Sequence, residues 1–132
     1  MKKQANYLFV YGTLMRGFNN PFAATLRKHS SFAGLGHFTG ELYRISWYPG
    51  ALYLPKSTTS VHGEVYKLIH FETLIEQLDL YEEIDSNEAQ SLYIRREVPV
   101  MTERQEVISC WTYLYNQPVL AADLIPSGRF TA

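Results

Sequence analysis

The sequence is poor in cysteine, in net charge and in long apolar runs, and each shortage excludes a class of protein. Its 132 residues include one cysteine, Cys110, which excludes an internal disulfide and indicates a reducing compartment. The formal net charge of -1 gives no strong field for polyanions, so we expect neither nucleic acid nor anionic membranes as partners. No run of about 18 apolar residues exists, and residues 1–6 lack the apolar stretch of a signal peptide. We therefore expect no transmembrane helix and a cytoplasmic location.

Histidine and cysteine are also too scattered to indicate a zinc centre. His29, His37, His62 and His70 show no metal-ligand spacing with one another or with Cys110. The cysteine lies in a segment with strand character, where a small core residue is expected rather than a nucleophile. The sequence therefore predicts no metal site.

The residues that are abundant fit one ordinary globular domain. Hydrophobic residues make up 46% and charged residues 19%, and 132 residues suffice for one core, so we expect a single domain over 1–132. Aromatic residues reach 14%, with ten tyrosines, which is enough to line a pocket with rings that also carry a hydroxyl.

Apolar runs and the turn residues between them predict strands before and after one main helix. The predicted elements are a buried strand over Tyr7–Tyr11, a helix from Asn20 and Pro21 to His29 or Ser30, a meander of short strands over 32–69, the main helix over His70–Glu83, a loop over 85–91, strands over Tyr93–Met101 and Val107–Tyr115, and a peripheral tail at 126–128. This order is typical of an α+β fold in which the helix covers a curved, partly closed sheet, with a small barrel as one form.

Glu82 is the acid of the main predicted helix that periodicity directs toward the core. It falls about 40° from Leu78 and within the apolar stripe, whereas Asp79 and Glu83 fall on the flank. A carboxylate is also unfavourable at the negative end of a helix dipole, so stability alone does not explain its position. Partial burial beside other acids would raise its pKa toward neutrality and suit it as a general base. The alternative is a helix that ends by Asp79 or Leu80 and leaves Glu82 in solvent.

The segment Gly12–Gly17 follows the first buried strand. Glycine at that point lets backbone N–H groups approach an anion or a carbonyl oxygen, as in an oxyanion-type cradle. The glycine spacing is that of a phosphate-binding P-loop, but Phe18 and Asn19 replace the Lys-Ser/Thr pair that this motif needs, so nucleoside triphosphates are not expected. An ordinary glycine turn is the alternative.

Several short motifs follow one another along nearly the whole chain. They are Tyr11-Gly12-Thr13-Leu14 with Arg16-Gly17, Tyr48-Pro49-Gly50-Ala51, VHGEVY at 61–66, LDLYE at 78–82, Tyr93-Ile94-Arg95 and WTYLY at 111–115. This ordered set spans roughly residues 7–128 and resembles the gamma-glutamylcyclotransferase (AIG2-like) family, most of all its small bacterial members. The resemblance implies a small mixed, barrel-like β-sheet with one main helix packed across it.

The resemblance also implies a reaction and its residues. In this family the α-amine of a γ-glutamyl group attacks its own γ-carbonyl and releases 5-oxoproline and a free amine or amino acid, without a metal or other cofactor. By motif matching, the catalytic glutamate is Glu82, acting as base and then as acid, and the backbone loop that grips the substrate is Tyr11, Gly12, Thr13 and Leu14. Arg95 and Tyr115 match recurrent positions as pocket or support residues. The implied partner is a small γ-glutamyl molecule.

One position departs from the family pattern. Glu83 stands directly after Glu82, where the family usually has a glycine suited to a left-handed helix end, and a longer polar insert at 85–90 follows. Two hypotheses therefore stand side by side. One is a γ-glutamyl or γ-glutamylamine cyclotransferase that acts through Glu82, and the other is a non-catalytic module that binds a small γ-glutamyl-like ligand. The sequence leaves the leaving group and the oligomeric state open.

Overall fold

The chain forms a closed β-barrel with two α-helices packed against it. The structure is a computed structural model that describes residues 6–82 and 88–131. Within these residues the helices are α1 (Pro21–Lys28) and α2 (Phe71–Tyr81), and the strands are β1 (Tyr7–Val10), β2 (Ser30–Arg44), β3 (Pro49–Tyr53), β4 (Ser60–Leu68), β5 (Tyr93–Thr102), β6 (Val107–Tyr115) and β7 (Leu124–Ile125). No helix in this part of the chain is both long and apolar enough to cross a membrane.

Five strands close the barrel in the order β2, β4, β1, β6, β5, and β5 pairs back onto β2 at Gly36 and His37. Strand β1 runs parallel to β6, with Leu8 opposite Trp111, while the other neighbours in the ring are antiparallel. Strands β3 and β7 pair with the second half of β2. The predicted α+β fold with a mixed, barrel-like sheet is confirmed.

The predicted meander over 32–69 is wrong in its pairing. Strands β3 and β4 each pair with β2. The reason is the length of β2, whose 15 residues offer one half to β4 and the other to β3. Gly40 lies where the partner changes, and a Cβ there would come within 2.0 Å of the Leu52 carbonyl oxygen, so the backbones approach too closely for any other residue.

Strand β1 is buried on both faces, as its unbroken apolar sequence predicts. Phe9 packs inside the barrel with Phe38 and Val98, whereas Leu8 lies on the other face among the residues beneath the helices. This alternation follows from the period of two in a strand. Cys110 belongs to the barrel interior and is fully buried, which confirms its prediction as a core residue.

Helix α1 begins and ends where its capping residues predict. The Asn20 side chain accepts the N–H of Ala23 at 2.8 Å, Pro21 takes the first helical position, and His29 follows the last residue of the helix.

Helix α2 extends far enough to bring Glu82 to its end. The last helical residue is Tyr81, and the N–H of Glu82 donates to the Leu78 carbonyl at 2.9 Å. The interpretation in which the helix ends by Asp79 or Leu80 is therefore wrong. Glu83 and residues 85–87 of the polar insert lie outside the described residues.

The tail after Pro126 is not peripheral. The Phe130 side chain is 5% exposed and stacks on Phe18 with ring centroids 5.7 Å apart. The Gly128 carbonyl accepts the N–H of His62 at 2.8 Å, so the tail also extends the hydrogen bonding of β4. The apolar area of one aromatic ring is enough to fix this segment on the barrel.

Candidate active site

A cavity of about 170 Å³ opens beside the C-terminal end of α2. The described residues of its wall lie on β1 and the loop after it, in the turn between β2 and β3, at the end of α2, at the start of β5 and near the end of β6. The lining residues are Phe9, Val10, Tyr11, Gly12, Thr13, Leu14, Trp47, Tyr48, Pro49, Tyr81, Glu82, Leu92, Tyr93 and Tyr113. The five site residues predicted from the sequence all line this one cavity. They are Tyr11, Gly12, Thr13, Leu14 and Glu82.

The loop after β1 is held in place at two points. The Thr13 carbonyl accepts a hydrogen bond from the Asn20 side-chain amide at 2.9 Å, so the cap of α1 also fixes the loop. The N–H of Arg16 donates to the buried Glu64 carboxylate at 2.8 Å, and the Arg16 Nε contacts the same carboxylate at 3.3 Å. Anchors on both sides hold the backbone between them in a defined shape.

Gly12, Thr13 and Leu14 present three successive backbone N–H groups in the loop that lines the cavity. Among the hydrogen bonds that join described residues, none uses the N–H of Gly12, Thr13 or Leu14. A Cβ at Gly12 would lie 2.8 Å from Cγ of Pro49, so only glycine lets the loop pass this close to the proline ring. Backbone donors arranged in this way suit a carboxylate or a developing oxyanion.

The Tyr11 side chain is used within the protein. Its hydroxyl donates to the Tyr113 carbonyl and accepts the N–H of Ala51 at 3.2 Å. Burial raises its pKa well above the ordinary value, and the Glu82 carboxylate adds to this effect. The Tyr11 hydroxyl therefore links the end of β1 to β3 and β6, so both of these hydrogen bonds are made within the protein.

Glu82 is half-buried in the cavity wall, near several tyrosine hydroxyls. Burial is the main cause of the raised pKa of Tyr11, Tyr81, Tyr93 and Tyr113, and the negative charge of Glu82 contributes to each. The four phenols therefore stay protonated at neutral pH. The negative charge of Glu82 thus acts on four tyrosines of the cavity wall.

Tyrosine hydroxyls also tie the walls of the cavity together. The Tyr81 hydroxyl lies 2.5 Å from the Thr13 hydroxyl, which joins the end of α2 to the loop. The Tyr93 hydroxyl donates to the Pro49 carbonyl at 2.5 Å, which joins β5 to β3. Tyr115 packs edge-on against Tyr93 with ring centroids 5.6 Å apart, so it supports this wall from behind.

Asp79 anchors the last turn of α2 through contacts that helical periodicity does not predict. Arg95 donates to both of its carboxylate oxygens, at 3.0 and 3.1 Å, and the Tyr113 hydroxyl donates to one of them at 2.7 Å. Asp79 is on the flank of the helix as predicted, but that flank faces β5 rather than solvent. Arg95, a recurrent family position, was the available signal.

Trp47 and Tyr48 line the cavity without having been assigned a role from the sequence. Trp47 is 69% exposed, and its ring meets that of Tyr48 edge-on at 5.1 Å. Tyr48 belongs to one of the motifs quoted above. The aromatic pair Trp47-Tyr48 directly before Pro49-Gly50 was the available sequence signal for an aromatic pocket rim.

Comparison with known proteins gives one family. The family model described as Gamma-glutamyl cyclotransferase, AIG2-like, matches residues 8–132. CG2811 of Drosophila melanogaster, provisionally named a gamma-glutamylcyclotransferase, is 30% identical over 141 residues, which cover 98% of this chain and 83% of that protein.

Solved structures share the fold. A mouse AIG2-like protein is 24% identical with a TM-score of 0.74, covering 98% of this chain and 90% of that chain. YkqA of Bacillus subtilis is 23% identical with a TM-score of 0.73, and the match covers 96% of this chain. This chain spans only 40% of the length of YkqA.

Proposed function

Since the chain belongs to the AIG2-like gamma-glutamyl cyclotransferase family, we propose that it cyclises a γ-glutamyl group to 5-oxoproline and releases an amine or amino acid, with Glu82 as general base and then acid. One observation carries this proposal. The Glu82 carboxylate and the loop with three available N–H groups line the same small cavity. A proton acceptor and a set of oxyanion donors are the two groups that intramolecular acyl transfer requires.

The reaction moves two protons from the α-nitrogen to the leaving nitrogen. Glu82 takes a proton from the α-ammonium, and the freed amine attacks the γ-carbonyl carbon, so that a new C–N bond forms while the carbonyl π electrons move to oxygen. Glu82 returns its proton to the leaving nitrogen as the tetrahedral oxyanion collapses, so that the carbonyl is restored while the bond to a neutral amine breaks. Glu82 then takes the second proton from the ring nitrogen and passes it to the released amine, which leaves the ring nitrogen with one hydrogen.

The loop supplies position and charge stabilisation in this scheme. The N–H groups of Gly12, Thr13 and Leu14 bind the anionic oxygens of the glutamyl group and of the intermediate. Because the anchors at Asn20 and Glu64 fix the loop before substrate arrives, little reorganisation is needed when charge develops. Because the amine and the carbonyl belong to the same γ-glutamyl group, the attack is intramolecular, and binding to the loop holds the two in the geometry of attack.

Release of 5-oxoproline tests the proposal directly. Purified protein is incubated with γ-glutamyl amino acids, γ-glutamylamines and glutathione, and 5-oxoproline is quantified against protein-free samples. We expect catalytic release from at least one class. Binding of these compounds without turnover of any of them would instead favour the second hypothesis, a module that holds a γ-glutamyl-like ligand.

A further inference from the structure

The mouth of the cavity carries an aromatic ring that the fold does not use. Trp47 is 69% exposed while lining the cavity, and its ring contacts that of Tyr48. The Tyr48 ring in turn lies 6.4 Å from the buried ring of Tyr93, so a wall of aromatic rings runs from the inside of the cavity to solvent. An indole left in water at the rim of a pocket gains burial only when a ligand covers it.

The cavity is large enough for only one part of the substrate. Its volume of about 170 Å³ is close to that of a cavity of about 150 Å³ that holds one benzene molecule, so it admits a group of roughly that size. The γ-glutamyl group, with its carboxylate, ammonium and reacting carbonyl, occupies the inner part between the loop and Glu82. The leaving group therefore extends through the mouth and along Trp47 and Tyr48.

The charges of the wall decide what kind of leaving group fits there. Of the described residues that line the cavity, Glu82 is the charged one, and none is a lysine or an arginine. Arg95, behind the wall, already gives two hydrogen bonds to Asp79. A carboxylate on the leaving group would thus lie near the Glu82 carboxylate and meet no cation among these residues, which is unfavourable in a partly desolvated site.

We infer that the leaving group is a primary amine with an apolar, preferably aromatic, body and no carboxylate beside its nitrogen, and that Trp47 determines this specificity. The inference rests on the proposed function and refines it. Substrates of the class are γ-glutamyl arylalkylamines, whose ring stacks on Trp47 while the amide enters the cavity.

Three substrates separate the effect of an aromatic ring on the leaving group from the effect of a carboxylate on it. γ-Glutamylphenethylamine has both favoured features, γ-glutamylphenylalanine adds one carboxylate to it, and γ-glutamylethylamine lacks the ring. We expect kcat/KM for the first to exceed that for each of the others by about tenfold, a factor within the range of one aromatic contact or one unfavourable charge pair. Equal or faster turnover of γ-glutamylphenylalanine overturns the inference and leaves the proposed function standing. No 5-oxoproline from any of the three, nor from the broader panel, overturns both.

Variants of Trp47 test whether its ring causes the preference for an aromatic leaving group. In Trp47→Ala the advantage of γ-glutamylphenethylamine over γ-glutamylethylamine falls by about fivefold or more, and in Trp47→Phe most of it remains. Leu120→Ala is the control, because Leu120 is equally exposed at 70% but does not line the cavity, and its substrate ratio stays that of the wild type. An unchanged ratio in Trp47→Ala overturns the role of Trp47.

Discussion

Arg95 on β5 donates two hydrogen bonds to the carboxylate of Asp79, which lies one helical turn before Glu82. Both side chains are about a quarter exposed, so the pair is only partly screened by water. A two-point contact between guanidinium and carboxylate is among the stronger and more directional interactions in proteins. It fixes the end of α2 on the barrel and thereby sets where Glu82 stands in the cavity.

Replacing Asp79 by asparagine tests this positioning role. The amide offers Arg95 one acceptor in place of two and brings its own N–H groups against the guanidinium. We expect kcat to fall by about tenfold with little change in KM, and the free energy of unfolding to fall by about 1.5–3 kcal/mol. Steady-state kinetics and urea unfolding measure the two effects.

An exposed acid on β5 serves as control for this variant. The Glu97 carboxylate is exposed and accepts a hydrogen bond from the Ser109 hydroxyl at 2.8 Å, so Glu97→Gln should alter neither kcat nor stability appreciably. A wild-type kcat in Asp79→Asn would show that the position of Glu82 does not depend on Asp79.

Gly12 is predicted to be irreplaceable for steric reasons. In Gly12→Ala the new methyl group would meet Pro49 at 2.8 Å, and the rigid proline ring cannot rotate away. We expect a loss of about 1–3 kcal/mol in stability and a fall of about tenfold or more in kcat/KM, since the N–H groups of the loop shift.

The control for Gly12 lies five residues further along the same loop. Gly17 has a φ of +94° and open space around it, so Gly17→Ala strains the backbone without touching the cavity wall. This variant should lose stability while keeping its kcat/KM within about twofold of the wild type. Equal effects of both variants on kcat/KM would contradict a specific role of the Gly12–Pro49 contact.

His62 on β4 makes the stability of the protein depend on pH. Burial, then the nearby Arg129, then His37 lower the pKa of His62 below its ordinary value. The neutral imidazole is therefore favoured in the folded state, and its contribution to stability is present above about pH 6.5 and lost as pH falls through the lowered pKa. We expect a smaller loss of stability between neutral and mildly acidic pH in His62→Gln than in the wild type.

Nuclear magnetic resonance titration of the imidazole checks the cause. In Arg129→Ala the pKa of His62 should rise toward its ordinary value, because the positive charge of Arg129 is gone. A pKa of His62 above the ordinary value in the wild type would contradict this account of the site.

Local sequence signals predicted the elements that depend on local chemistry. The bounds of β6, Val107–Tyr115, are those expected from its run of β-branched and aromatic residues, and the start of α1 follows from Asn20 and Pro21. The helical period directed Glu82 toward the core, and Glu82 is half-buried in the cavity wall directly after α2. These features need only the geometry of one element.

Features that depend on distant partners were missed. The pairing of β2 with both β3 and β4, the salt bridge of Asp79 to Arg95 and the packing of Phe130 on Phe18 all join residues far apart in the chain. No periodicity within one segment encodes such contacts, because they are decided when the barrel closes. The roles of Glu82 and of the loop remain predictions, with their positions around one cavity as support.

Substitution of Glu82 by glutamine measures the central claim most directly. Glutamine keeps the shape of the side chain but accepts no proton, so the rate of 5-oxoproline formation under saturating substrate should fall by about 100-fold to 10,000-fold. Substrate binding should persist. Glu72→Gln, on the exposed face of the same helix, should retain the wild-type rate. A Glu82→Gln protein that forms 5-oxoproline as fast as the wild type would contradict the assignment of Glu82 as the general base.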